Sequence, residues 1–92
     1  MRERDIEIHL LHEVKKRGGI CWKFASPGTA GVPDRVVVLN RETWFVELKA
    51  PGKKPTALQE RRMGQLRQAG ANVTWLDSRE AVDEFIKEHF GG

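Results

Sequence analysis

Apolar side chains near the start of the chain recur with a helical period. At about 100° per residue, Ile6, Leu10, Val14 and Leu11 fall in order around one broad stripe. The stripe predicts a helix from about Arg4 to Arg17, stopped by Gly18-Gly19, where glycine can take the left-handed backbone that ends a helix. The period then changes. Ile20-Cys21-Trp22-Lys23-Phe24-Ala25 reads as a strand, and Arg35-Val36-Val37-Val38-Leu39 is a continuous β-branched run of the kind expected where a strand is covered on both faces. Trp44-Phe45-Val46-Glu47-Leu48-Lys49 is a third strand. Alternation turns Trp44, Val46 and Leu48 one way and Glu47 and Lys49 the other. The turn Asn40-Arg41-Glu42-Thr43 is short enough to join these last two strands as an antiparallel hairpin. A second helix opens at Thr56-Ala57-Leu58-Gln59, a capping-box pattern, and closes at Gly70. Asn72-Val73-Thr74-Trp75-Leu76 is the last strand, made parallel to the Glu47 strand by a crossover through that helix, with the right-handed sense expected. Asp77 or Ser78 then caps a final amphipathic helix bearing Ala81, Val82, Phe85 and Ile86. The order is α-β-β-β-α-β-α, an α/β chain without internal repeat or linker, so residues 1–92 read as one domain.

Composition narrows the classes. At 92 residues the core is small enough to gain from a second subunit. A formal charge of +3 and a pI near 9.4 suit a polyanionic partner without requiring one. The lone Cys21 excludes an intrachain disulfide framework and a cysteine-based zinc site, which makes a reducing compartment the simple expectation. No long apolar run or signal-peptide pattern is present, so a soluble protein of the cytoplasm is expected, with no membrane association. The absence of tyrosine excludes tyrosine-nucleophile strand transfer.

The chemistry gathers at Gly31-Val32-Pro33-Asp34 and Glu47-Leu48-Lys49. Pro33 lacks a donor and fits at a strand start, which sets Asp34 at the edge of the sheet beside an opening. Hairpin pairing would then bring Asp34 close to Glu47 and Lys49. Two carboxylates and a lysine around one point suit phosphodiester hydrolysis with a divalent cation, and hard oxygen ligands select Mg2+ or Mn2+ over zinc. Asp34 and Glu47 would hold the metal with the backbone carbonyl of Leu48. Lys49 would orient the attacking water or neutralise the phosphate.

Glu7 falls inside the apolar stripe, between Val14 and Leu11. A carboxylate there needs a metal or a basic partner, unless it lies at the stripe's edge and reaches water or a lysine. Gln59 has a structural reason to exist in the capping box, yet its helical angle, near Leu66 and Met63, also aims it toward the site. The loop Ser26-Pro27-Gly28-Thr29-Ala30-Gly31 either lets backbone approach a phosphate or is a plain connection. Lys53 and Lys54 either touch phosphates or solvate their turn. With Lys23, Ser26, Arg35, Arg61 and Arg62 they form the candidate nucleic-acid contacts, and Arg67 adds to the basic rim of the second helix. His9 and His12 have no third partner and read as surface or structural residues.

At Ile6-Glu7, Gly31-Val32-Pro33-Asp34-Arg35, Phe45-Val46-Glu47-Leu48-Lys49 and Gln59 the chain resembles the PD-(D/E)xK nucleases, and more closely their virus-type replication-repair (VRR-Nuc) group. The resemblance covers nearly the whole chain. It implies a restriction-endonuclease-like fold, a mixed sheet flanked by helices, with Asp34 and Glu47 as metal ligands and Lys49 as the catalytic lysine. It also gives Glu7 and Gln59 recurrent roles in the site. Small stand-alone members are phage and bacterial proteins that act as dimeric, structure-specific endonucleases, including on four-way junctions, so Mg2+-dependent cleavage of branched DNA by a homodimer is the expectation. For the dimer, the residues offer Ile8, on the outer side of the first helix. The competing readings are a DNA-binding module that keeps the fold without hydrolysis, and a nucleotide hydrolase or phosphatase. The latter lacks a Walker-type glycine loop.

Overall fold

A computed structural model describes residues 1–91. Helix α1 (Glu3–Lys16) is followed by β1 (Ile20–Lys23), β2 (Arg35–Leu39), β3 (Glu42–Leu48), α2 (Ala57–Gln68), β4 (Asn72–Leu76) and α3 (Arg79–Phe90). The four strands form one sheet in the order β1-β2-β3-β4, antiparallel across β1, β2 and β3 and parallel between β3 and β4.

Local chemistry sets the boundaries. Gly18 takes φ +81°, and Gly18 and Gly19 donate back to Lys15 and Val14, which closes α1. Asn40 and Arg41 both sit at positive φ (53° and 67°), so the β2–β3 hairpin uses the two-residue turn that matches strand twist, at the cost of two left-handed non-glycine residues. Thr56 Oγ1 accepts from Gln59 N at 3.2 Å at the start of α2, and Ser78, not Asp77, caps α3.

Helices α1 and α3 pack together on one sheet face. Ile6, Leu10 and Val14 of α1 and Val82, Phe85 and Ile86 of α3 close over Cys21, Val37, Leu39, Val46, Leu48 and Leu76. Leu11, expected in the stripe, is 37% exposed, because the buried arc is narrower than the apolar one. The other face is covered only in part. Helix α2 lies along β4, with Met63 and Val73 buried. Strand β2, expected to be covered on both faces, alternates instead: Arg35, Val37 and Leu39 are buried while Val36 is half-buried and Val38 exposed. Its β-branched run reflects a fit to the pleated sheet rather than double burial.

Candidate active site

The site lies where β2 begins, β3 ends and α2 starts. Asp34 precedes β2, and the ladder continues through it, since its carbonyl accepts from Phe24 N at 2.8 Å. The pairing of Arg35 with Val46 sets Asp34 beside Glu47 and on the same sheet face. Asp34 Oδ2 accepts from the backbone N–H of Leu48 at 3.0 Å, which fixes one carboxylate oxygen at the end of β3.

Glu47 is almost wholly buried, 2% exposed. Burial pushes its carboxyl up to about 7, with the Asp34 carboxylate adding to the rise and the Lys49 ammonium opposing it. Glu47 Oε2 accepts from Gln59 Nε2 at 2.9 Å and lies 3.9 Å from Lys49 Nζ. Its other oxygen, Oε1, is buried with no hydrogen-bond partner. A buried carboxylate oxygen left unpaired is costly unless a cation or donor meets it, so this atom fits a metal ligand.

Gln59 performs both tasks that the sequence leaves open. Its Oε1 accepts from Thr56 N at 2.9 Å, completing the capping box, and from Lys49 Nζ at 3.0 Å. Its Nε2 serves Glu47. A carbonyl oxygen has two lone pairs, so capping and holding the lysine do not exclude each other. The amide orientation follows from its neighbours, because the swapped group would aim N–H at an ammonium and at a backbone donor.

Glu7 finds a basic partner. Arg35, only 8% exposed, sends Nη2 to Glu7 Oε2 at 3.1 Å and Nη1 to the Cys21 carbonyl at 3.4 Å. Arg35 therefore lies under α1 and is not a surface contact for nucleic acid, which corrects that expectation. The signal for it was an arginine heading an apolar run, matched by a carboxylate in an apolar stripe. Glu7 nevertheless keeps a third of its side chain exposed and, with Glu3, Lys23, Phe24, Ala25 and Asp34, lines a cavity of about 290 Å³.

The remaining cations divide. Lys53, Lys54 and Arg61 are exposed, and Lys23 stands at the cavity rim. Arg62 instead donates to Ala30 O at 2.8 Å and to Gln65 at 3.1 Å, which ties α2 to the loop before Asp34. Gly31, at φ +85°, belongs to the same tie: a Cβ there would meet Leu58 Cγ at 2.8 Å. This part of the loop is thus packed on α2. Ser26 is half-buried, its carbonyl taken by Thr29 N in a turn. His9 pairs with Asp83 of α3 at 2.7 Å, a helix–helix link, while His12 is exposed.

Among the described residues no three Asp, Glu, His or Cys side chains are gathered as a ready metal cluster. The acidic pair is Asp34 and Glu47, and any further ligand would come from neutral oxygens or from Glu7 or Glu3, which line the same cavity as Asp34. The described residues also contain no helix long and apolar enough to cross a membrane.

No family model matches the sequence. The chain is 53% identical over 81 residues, 87% of each protein, to the "Putative nuclease p44" of Acyrthosiphon pisum secondary endosymbiont phage 1. A solved structure described as a VRR_NUC domain superposes with a TM-score of 0.85 at 33% identity, covering 96% of each chain.

Proposed function

We propose that this chain, which belongs to the VRR-Nuc nuclease family, is a divalent-metal-dependent endonuclease of branched DNA, such as four-way junctions, and that it works as a single-domain homodimer. The observation that carries the reading is the buried Glu47, with one oxygen unpaired, set between Asp34 and a lysine held by Gln59.

Asp34 and Glu47 would hold the cation, joined by the Leu48 carbonyl and on the rim by Glu7. Mg2+, or Mn2+ in its place, suits these hard oxygens. When bound, such an ion shields the phosphate's charge and polarises the attacking water. The rest falls to the chain's own groups. Lys49 carries a fixed positive charge beside the carboxylates, where it can neutralise a scissile phosphate or orient a water. Gln59 holds Lys49 on one side and Glu47 on the other, so the lysine's position depends on a helix N-terminus rather than on a loop. Lys23, Lys53, Lys54 and Arg61 would steer the DNA backbone.

A DNA-binding module without catalysis is the second reading, but a role in binding alone gives no reason to bury Glu47 against a second carboxylate. The test is incubation with matched four-way-junction, flap, single-stranded and linear duplex DNA, in Mg2+ or Mn2+ against chelator, with Asp34→Asn alongside. Paired nicking of the junction, abolished by chelator and in the variant, is expected. Cutting that survives either would remove the metal assignment, and binding without cutting of any substrate would favour the module.

A further inference from the structure

Among the described residues, Arg35 and Glu47 alone are both ionic in type and buried. Glu47 belongs to the candidate site. Arg35 follows Asp34 in the chain, and strand alternation turns it to the opposite face of the sheet, under α1. There its Nε and Nη2 both meet one oxygen of Glu7, Oε2, at 3.4 and 3.1 Å, while Nη1 meets the Cys21 carbonyl at 3.4 Å. A planar guanidinium anchored at two places fixes the direction of the carboxylate it holds, which the point charge of a lysine does not. Among the described residues nothing donates to the other oxygen of Glu7, Oε1. Glu7 also lines the cavity that it shares with Asp34, where β1 stops at Lys23 and groups from both faces of the sheet can meet.

We infer that Arg35 is a positioning residue for the cation site: it grips Glu7 by Oε2 and leaves Oε1 for a divalent cation held by Asp34 and Glu47, or for a water on that cation. The inference deepens the metal reading above and rests on it. Glu3 lines the same cavity one turn earlier, but it stands at the first residue of α1 and has no ion pair among the described residues. The fold therefore prepares Glu7 and leaves Glu3 free to move.

Charge alone predicts the opposite effect. A guanidinium near the site repels a cation, so if Arg35 only neutralised Glu7, its removal would release a carboxylate and tighten metal binding. If it positions Glu7, its removal weakens binding, since an outer partner that orients a ligand is commonly worth roughly 10–100-fold in metal affinity. The sign of the change separates the two roles.

Titration of the metal-free protein with Mn2+, without DNA and followed by the paramagnetic resonance of free Mn2+, reads that sign. Arg35→Gln, checked for folding by circular dichroism, should bind Mn2+ roughly 10-fold more weakly than wild type. Glu7→Gln should weaken binding to a similar degree, and the double variant should be no weaker than Glu7→Gln alone, because the two act as one unit. Arg35→Lys keeps the charge but loses the fork, so it too should bind more weakly, and it carries the test if Arg35→Gln does not fold. Tighter or unchanged binding by the Arg35 variants, a Glu7→Gln that binds as wild type does, or losses that simply add would overturn the role of Arg35 and leave the cation site standing. An Asp34→Asn variant that binds Mn2+ as wild type does would overturn the site itself, and the inference with it.

Discussion

Burial holds a proton on Glu47 up to a pH of about 7, whereas the unfolded chain gives it up near 4.5. Between those values the unfolded state binds fewer protons, so metal-free stability falls as pH rises through the window, by up to roughly 3 kcal/mol for one group. Glu47→Gln, which cannot ionise, should therefore melt above wild type at pH 8 in chelator and close to it at pH 5, while losing cleavage. Thermal unfolding at the two pH values checks this, and equal shifts at both would show that Glu47 is not strained by its charge. Glu7 gives a different contrast. As the partner of buried Arg35 it should matter without metal: Glu7→Ala should lower chelated stability by about 1 kcal/mol, measured by denaturant unfolding, whereas a ligand role alone would leave the apoprotein unchanged. Asp34, Glu47 and Lys49 were legible because strand alternation and a short turn bring them together. The Glu7–Arg35 pair was only half legible: the stripe showed that Glu7 needed compensation, but packing of α1 over β2 decided that an arginine provides it.

Helix α2 couples local folding to the site through one side chain. Thr56→Ala removes only the oxygen that receives Gln59 N, and should cost about 1 kcal/mol of stability with cleavage retained. Gln59→Ala also releases Lys49 and Glu47, and should lower kcat by roughly 10–100-fold. Comparing melting temperature with turnover separates the two effects, and equal activity losses would assign Gln59 to capping alone. In the β2–β3 turn, Arg41→Gly should stabilise by about 1 kcal/mol without touching activity, since the position is left-handed. Helix and strand order could be read from periodicity, caps and turn residues. The number of covered faces could not, because a β-branched run suits a half-open sheet as well as a buried one, and β2 proved half-open.

At the scale of the whole molecule, a sheet with two helices on one side and one on the other leaves the candidate site residues and an uncovered apolar surface on the same face. No sequence period reveals that arrangement, since it depends on where α2 settles after its crossover. VRR-Nuc membership accounts for the fold and the nuclease activity, and the central claim for this chain is that Glu47 exchanges its proton for a cation in order to cut DNA. The most direct measurement is the pH profile of four-way-junction cleavage at limiting and at saturating Mg2+. With limiting metal, cleavage should rise with pH through about 7, the value at which Glu47 ionises, and saturating Mg2+ should move that midpoint downward as the cation outcompetes the proton. A midpoint indifferent to Mg2+ concentration, or cleavage persisting in chelator, would contradict the account.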